Sequence, residues 1–429
     1  MENNEILLFK EKAVKQNRVW VRISNVCNNN CIFCLDSYSH NGTFVEEKLI
    51  KKQIKDGFKS GYENRVIISG GEASINPFFS EYIGYAKEIG YDRVQTITNG
   101  VMFGNQEFVK KVIDAGLEEI TFSFHGHNET LHDYLVATPG AFKKSLSGLI
   151  HIKKNFPKII INIDIVVNKI NVVFLPDIIK FFLKLGVYEF DILQIIPFGR
   201  AFFPQNKKRL FYNIKENIAY LRETWKLSRI SGMYMWTNRF PAEAFEGYED
   251  LIQDPKKIKS EVMGEGREVF DIFISSKGKQ KPQCFGDTCE YCFQKDYCHN
   301  FLKYKGIKNI KDKKSDNRLV FIKSKNFVSD IYKEFGENKE NFITFLKQEK
   351  EKGNILINIP KCLFGSGMYQ TYDDMDGNYT LEDYTEKYIT NLYRKKSLSC
   401  KDCKYNNECE GIHINFIRAY GFSILKAIK

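Results

Sequence analysis

The sequence predicts an α/β fold, namely a partial (β/α)6 barrel followed by a smaller cysteine-rich region. Two observations carry this prediction. From residue 18 onward, short runs of branched apolar residues alternate with helical patterns, which is typical of parallel strands joined by crossover helices. After about residue 255 the alternation stops and two groups of four cysteines appear. We therefore expect a barrel unit over residues 15–240 and a second region over 255–429 that includes a small α/β insert.

The elements of the barrel follow in chain order. Predicted strands occupy residues 18–24, 65–70, 94–100, 119–126, 159–167 and 190–197. Helical patterns follow at 46–60, 76–90, 105–115, 141–155, 173–185 and 212–230, and a further apolar stretch, GMYMWTNRF, lies at 232–240. Six strands are fewer than the eight of a closed barrel, so a partial barrel and an open doubly wound sheet are the two candidates.

The composition is that of an ordinary globular protein. The chain has 429 residues, of which 43% are hydrophobic, enough for a large core and a second smaller one. No run approaches the roughly 18 apolar residues of a membrane span, and the charged N-terminus has no signal-peptide pattern. Tight cysteine spacings and an odd cysteine count favour free thiolates over disulfides. We therefore expect a cytoplasmic protein.

The formal charge of +11 leaves a nucleic-acid partner possible without favouring it, because most lysines are scattered along amphipathic helices. The densest basic run, FLKYKGIKNIKDKK, lies at 301–314. A linker explains this run more simply than contact with an anionic partner.

All eleven cysteines fall into three groups whose spacings are those of iron–sulfur ligand sets. The first group, in CNNNCIFC, offers three thiolates to a four-iron cluster, so one iron stays open for a small molecule. Each of the other groups has four thiolates and can close a cluster completely. The groups are Cys27, Cys31 and Cys34; Cys284, Cys289, Cys292 and Cys298; and Cys362, Cys400, Cys403 and Cys409.

Zinc is the alternative at each group. A structural zinc ion needs four ligands, and His40 is the local candidate for a fourth ligand in the first group. The other two groups share the pattern CxxCxxxxxC, which looks like a duplicated unit, and two zinc knuckles remain an alternative. Cys362 is far from its proposed partners in sequence and can instead belong with the group that begins at Cys284.

The three-cysteine loop follows the first predicted strand, where parallel α/β folds place their ligands. Its CxxxCxxC spacing, with Phe33 before the third cysteine, resembles the signature of the radical S-adenosylmethionine (SAM) superfamily. The resemblance extends to a glycine–glycine–glutamate motif at the end of the second strand, here Gly70, Gly71 and Glu72. It implies that this motif binds the methionine part of SAM, with Glu72 next to the ammonium group. Two glycines suit a ligand that lies against the backbone.

The resemblance also implies cofactor-binding positions on the later strands. These are Thr98 and Asn99 in TITNG, Ser123 in TFSFHG, Asn168 in IDIVVN, and Pro197 and Gly199 in LQIIPFGR. The cofactors implied are a SAM-binding [4Fe–4S] cluster and SAM itself. The C-terminal groups resemble SPASM and twitch extensions, which implies two auxiliary clusters.

The activity implied is reductive cleavage of SAM to a 5′-deoxyadenosyl radical, which abstracts hydrogen from a substrate. We expect a peptide or protein side chain as substrate, with a small-molecule cofactor precursor or a tRNA base as alternatives. An electron donor such as flavodoxin or ferredoxin is an implied partner. A protein of another class, an iron–sulfur electron carrier or scaffold, remains the rival.

Three histidines in SFHGHNETLHDYL suggest a second metal site, which we do not expect. His125 and His127 alternate with the strand period and His132 lies on the next helix, so a shared metal would need an unsupported fold-back. His125, at a strand end, is a candidate for the wall of a substrate cavity.

Overall fold

A computed structural model describes residues 3–264, 267–304, 318–323, 325–364 and 379–429. It divides into two compact units, Lys15–Arg239 and Met1–Val14 with Phe240–Lys429. The sequence gives no sign that the first fourteen residues belong with the C-terminal part of the chain. Each unit is built on its own core.

The first unit is built on one parallel sheet of seven strands that neighbour each other in chain order. The strands are β1 (Asn17–Ser24), β2 (Asn64–Gly70), β3 (Arg93–Thr98), β4 (Glu119–Ser123), β5 (Ile160–Val167), β6 (Glu189–Gln194) and β7 (Tyr234–Asn238). A doubly wound sheet would reverse its strand order at a switch point, so the partial barrel is the correct alternative. The predicted count of six strands is wrong by one, because the apolar stretch at 232–240 pairs in parallel with β6.

Helices connect successive strands. In the first unit they are α2 (Glu47–Gly57), α3 (Phe79–Ile89), α4 (Gln106–Asp114), α5 (Glu129–Val136), α6 (Ala141–Asn155), α7 (Leu175–Lys184), α8 (Pro204–Leu210) and α9 (Ile218–Leu227), and α1 (Asn3–Lys15) lies in the second unit. Helix α5 was predicted without bounds, as the helix that carries His132, and α8 was not predicted. Both are short and lie in connections that the sequence pattern leaves without a clear period.

Alternation along the strands decides which residues face the helices. On β5, Ile163 and Ile165 are fully buried, and on α7 the side chains of Ile178 and Phe182 are fully buried as well. Each such side chain contributes roughly 1.5–3 kcal/mol through burial. Residues between the buried isoleucines, such as Asp164, lie on the opposite, concave face of the sheet.

The second unit is mostly helical. After α1 it contains α10 (Lys257–Met263), α11 (Arg267–Ser275), α12 (Lys295–Tyr304), β8 (Leu319–Phe321), α13 (Val328–Phe335), α14 (Lys339–Glu351), β9 (Ile355–Ile357), α15 (Lys361–Phe364), α16 (Leu381–Lys387), β10 (Arg394–Lys395), β11 (Ile412–His413) and α17 (Ile414–Tyr420). Strands β8 and β9 pair in parallel around two helices, in the region of the expected α/β insert. Most of the basic run at 301–314 lies outside the described residues.

Long-range contacts fasten α1 to the second unit. The Lys10 ammonium donates to the carbonyl of Asp250 at 3.1 Å, and the Glu11 carboxylate accepts from the backbone N–H of Val328 at 2.5 Å. In the described part of the chain, no helix combines the length and the apolar character needed to cross a membrane.

Candidate functional site

The three-cysteine loop joins β1 to a short 3-10 helix, Leu35–Ser39. Cys27, Cys31 and Cys34 form no disulfide bond and are partly accessible. Burial, followed by the charge of Glu72, raises the pKa of Cys27 to about 12, and burial together with Cys27 and Cys34 raises the pKa of Cys31 well above its usual value. The three thiols therefore share one site. Each must release its proton when it binds a metal.

The end of α5 holds one side of this loop. The backbone N–H of Asn30 donates to the carbonyl of Val136, and that of Ile32 donates to the carbonyl of Leu135, both at 3.0 Å. These two hydrogen bonds join backbone atoms only, so they fix the path of the loop whatever its side chains are.

The connection after β6 holds the opposite side. Arg200 donates its backbone N–H to the carbonyl of Cys34 at 2.9 Å and its guanidinium to the carbonyl of Cys31 at 3.3 Å. Gly199 has a φ of +57°, and a Cβ there would lie 2.2 Å from the Cys34 carbonyl oxygen. Gly199 is thus packed against the cysteine loop itself, and Pro197, two residues earlier, is buried.

Gly70 and Gly71 pack against the end of β1. Cβ atoms at these positions would lie 2.4 Å from the carbonyl oxygens of Ser24 and Val26 respectively. The backbone N–H of Gly71 donates to the Ser24 carbonyl, and that of Glu72 donates to the Val26 carbonyl, both at 2.8 Å. The space that a side chain would fill is therefore occupied by the chain just before Cys27. Contact with this backbone is by itself a reason for glycine at both positions, and contact with a ligand stays a prediction.

The Glu72 carboxylate is only 2% exposed and links the ends of β2 and β3. Its Oε1 accepts from the Ser74 hydroxyl at 2.5 Å and from the Thr98 hydroxyl at 2.7 Å, and its Oε2 accepts from the Asn99 N–H at 2.7 Å. Burial raises the pKa of Glu72, and these donors oppose that rise. A carboxylate has about four acceptor positions, so Oε2 retains capacity for a further donor.

Asparagines surround the first cysteine. The Asn99 amide donates to Asn28 Oδ1 at 2.7 Å and lies 3.8 Å from Cys27 Sγ, to which the Asn29 N–H also donates at 3.4 Å. Within the described chain, neither side-chain polar atom of Asn29 has a partner, although the residue is only 5% exposed. Donors next to a thiolate stabilise its charge, which suits a metal-bound sulfur.

The aromatic position before the third cysteine is also fixed. Phe33 is 7% exposed and meets His125 edge to face, with ring centroids 4.6 Å apart. Burial lowers the pKa of His125 well below its usual value, so the imidazole is neutral. Its Nδ1 accepts from the N–H of Val166 at 3.1 Å. His125 therefore supports Phe33.

Ser123 and Asn168 differ in what their side chains do. The Ser123 hydroxyl faces Asp164 Oδ2 at 3.4 Å on the concave side of the sheet. Asn168 is fully buried, and its amide group bonds to the backbone of Val166 and Ile170. Asn168 therefore shapes its own turn after β5.

The group that begins at Cys284 is gathered around one point. Burial is the main cause that raises the pKa of Cys284 to about 11 and of Cys292 to about 12, and it raises that of Cys298 well above its usual value. Charges of the other cysteines in the group add to each shift. The N–H of Gly286 donates to Cys289 Sγ at 3.3 Å.

The last group encloses a small cavity that all four of its cysteines line, Cys362, Cys400, Cys403 and Cys409. The structure thus places Cys362 with Cys400, Cys403 and Cys409, as the sequence grouping predicts, and not with the group that begins at Cys284. Three lysines also line the cavity, namely Lys361, Lys396 and Lys426. Backbone N–H groups donate to two of the sulfurs, from Gly411 to Cys409 at 3.3 Å and from Ile428 to Cys403 at 3.4 Å. Four thiols, surrounding cations and N–H donors fit an anionic iron–sulfur cluster.

Several residues of the site were not found from the sequence. No local sequence motif marks Arg200, Asp164 or Asp191. Only the strand register brings the two aspartates together. Across the described ranges, no three His, Cys, Asp or Glu side chains converge closely enough to hold a single metal ion.

A partial barrel of parallel strands, with a three-cysteine loop at the end of its first strand, defines a radical SAM domain. Residues 21–181 match the model of the Radical SAM superfamily, whose members use a [4Fe–4S] cluster and SAM. The cysteine-rich C-terminal region is consistent with a SPASM-like extension.

Parts of the chain are similar to known proteins and to solved structures. The chain is 29% identical over 179 residues to an AdoMet-dependent heme synthase of Methanosarcina barkeri, covering 41% of this chain and 49% of that protein. It is 26% identical over 181 residues to a probable GTP 3′,8-cyclase of Sulfurisphaera tokodaii, covering 42% and 56%. The chain spans about half the length of the curated relatives it matches. Among solved structures, Streptococcus suis SuiB bound to precursor peptide SuiA has a TM-score of 0.41 at 15% identity, over 59% of this chain and 56% of that chain.

Proposed function

We propose that this protein is a radical SAM enzyme that cleaves SAM reductively and abstracts a hydrogen atom from a substrate. The observation that carries the proposal is the shared site of Cys27, Cys31 and Cys34 at the carboxyl end of β1. A [4Fe–4S] cluster held by the three thiols of this loop has one iron free of the loop's sulfur atoms.

Each residue around the loop has a role in this proposal. The three cysteines hold the cluster, and N–H donors at Cys27 stabilise thiolate charge. Glu72 fixes the ends of β2 and β3 and offers its remaining acceptor position to the ammonium group of SAM. Arg200 and Gly199 keep the loop closed from the β6 side.

When bound, the cluster and SAM together supply a 5′-deoxyadenosyl radical. The chain's own contribution is to keep the reacting atoms in one place and away from water. Fixed backbone contacts on both sides of the loop perform the first task. The concave face of the sheet, at the strand ends, provides the protected space for the second.

For the substrate, we propose a peptide or protein side chain, on the ground of the SPASM-like C-terminal region. A small-molecule cofactor precursor is the second candidate, which is favoured by the heme synthase and GTP cyclase named among the relatives. We propose further that the two four-cysteine groups hold auxiliary clusters. Since each has four thiols, neither leaves an iron for substrate, and we propose electron transfer or scaffolding as their role. The electron donor we propose for the enzyme is a flavodoxin or a ferredoxin.

The experiment is SAM cleavage by anaerobically reconstituted protein with dithionite. We expect 5′-deoxyadenosine from the wild type and none from Cys31→Ala, whereas Cys403→Ser retains the SAM-binding cluster. We expect iron analysis to find about twelve irons per chain. About four irons together with two zinc ions would instead indicate zinc knuckles. Full cluster content without 5′-deoxyadenosine would show an electron carrier instead.

A further inference from the structure

Two carboxylates lie next to each other on the concave face of the sheet. Asp164 on β5 and Asp191 on β6 are direct partners in the parallel register, and Ser123 on β4 is the partner of Asp164 on its other side. The neighbouring residues Ile163 and Ile192 are fully buried beneath the helices, which fixes the aspartates on the opposite face. Like charges placed directly opposite each other in a sheet are destabilising.

The charges within this unit do not balance the pair. Arg239, directly after β7, favours the ionised form of Asp164, but the opposing effect of Asp191 is the larger one. The Asn238 amide donates to Asp191 without adding charge. Glu189, two residues before Asp191 on the same face, adds a further carboxylate. Arg65 favours the ionised form of Glu189, but Arg65 and Arg93 each lie 3.4 Å from the carboxylate of Glu119, which opposes that effect. Three guanidiniums within this unit thus face four carboxylates, and Arg239 is the one that acts on Asp164.

One oxygen of the pair has nothing to bond to. Asp164 Oδ1 is shielded from solvent and has no hydrogen-bond partner among the described residues. Burial, with Asp191 second, raises the pKa of Asp164 to about 8, so a proton compensates the excess charge when no ligand is present. A buried acceptor without a donor is costly, and a cationic donor would satisfy both the oxygen and the charge.

The two aspartates lie at about the same level along the parallel strands as the proposed SAM site. Ser123 is the last residue of β4 and follows Phe122, which is the register partner of Thr98. Thr98 is the residue that bonds to Glu72. A group held by the aspartates would therefore lie on the concave face at the strand ends where the reaction is proposed to occur.

We propose that Asp164 and Asp191 bind a positively charged nitrogen group of the substrate, an amine or a guanidinium. This inference rests on the function proposed above and narrows its substrate to a cationic one. Asp164 contributes the unpartnered oxygen, and Asp191 contributes the second charge. The competing explanation is a structural ion pair between Asp164 and Arg239, with no ligand.

The binding test uses two probes of matched shape, N-acetyl-lysine methylamide and N-acetyl-norleucine methylamide, titrated calorimetrically into reconstituted holoprotein with SAM. We expect the wild type to bind the lysine probe at least roughly tenfold more tightly than the norleucine probe. Asp164→Asn and Asp191→Asn should each remove most of this preference. Asp56→Asn, an exposed carboxylate change on α2, should retain it. Equal binding of both probes, no binding of the lysine probe, or an unchanged preference in both site variants overturns the proposal.

A stability measurement separates ligand binding from a structural ion pair. Because Asp164 carries a proton near neutral pH when no ligand is bound, the neutral asparagine of Asp164→Asn resembles it, and we expect the melting temperature of this variant to equal that of the wild type. A fall of several degrees in the melting temperature would mean that the Asp164 carboxylate forms a stabilising ion pair with Arg239, which contradicts the proposal. Wild-type 5′-deoxyadenosine formation is measured in parallel. If SAM is cleaved but the probes bind equally, this inference fails alone, whereas loss of SAM cleavage defeats the proposed function.

Discussion

Gly71→Ala should disable the site through a single methyl group. The added Cβ would lie 2.4 Å from the Val26 carbonyl oxygen and 2.8 Å from its carbon. Since carbon and carbonyl oxygen rarely approach closer than about 3.3 Å, the chain at Val26 must move by roughly 1 Å. Val26 directly precedes Cys27. Misplacement of this size can cost about 100-fold in rate, and overpacking about 1–3 kcal/mol in stability.

Gly84→Ala is the matched control. Gly84 lies inside α3, and its nearest neighbour to an added Cβ is 4.0 Å away, so the same methyl group meets no obstacle. Alanine there should stabilise the fold by about 0.5–1 kcal/mol. The assays are urea unfolding, iron content and the rate of 5′-deoxyadenosine formation. A folded Gly71→Ala protein with wild-type iron content and a wild-type rate would refute the argument that this contact positions the cysteine loop.

Further changes give separate tests. Glu72→Gln replaces one acceptor oxygen by a donor, so we expect SAM affinity to fall at least roughly tenfold, measured by equilibrium binding, and unchanged affinity would contradict the role given to this carboxylate. Cys362→Ser should remove about four irons per chain while SAM cleavage chemistry at the first group remains detectable, and full iron content would exclude Cys362 as a ligand. Asp254→Ala breaks the buried pair with Arg418, 3.1 Å apart, and should cost about 3–5 kcal/mol in unfolding free energy. The exposed Asp114→Ala change on α4 should cost under about 1 kcal/mol, and equal losses would contradict the burial argument.

Local patterns account for most of the first unit. The strand and helix runs of the sheet follow from hydrophobic periodicity, and their ends differ by only a few residues from the predicted ones. The strand at 234–238 was recognised only as an apolar stretch. Its identity as β7 depends on pairing with β6, more than 40 positions earlier in the chain, and a local pattern contains no such information.

Long-range contacts explain what else the sequence could not predict. Helix α1 joins the second unit through Lys10 and Glu11, whose partners lie 240 and 317 positions away. The partners of Cys362 were ambiguous for the same reason, because the cavity forms only when three separate segments, 360–362, 396–411 and 425–428, fold together.

The candidate site was predictable only in part. The cysteine spacing and the Gly70–Glu72 motif are local, so they were found directly. The aspartates on β5 and β6 look like ordinary polar residues of an alternating strand. Only the curvature of the sheet, which turns that face inward, makes them part of the site.

The most direct test is the electron paramagnetic resonance spectrum of the reduced, oxygen-protected protein before and after addition of SAM. An iron without a protein thiolate beside Cys27, Cys31 and Cys34 predicts that SAM changes the signal of one cluster and that Cys31→Ala abolishes this change. A wild-type spectrum that SAM leaves unaltered would contradict the account.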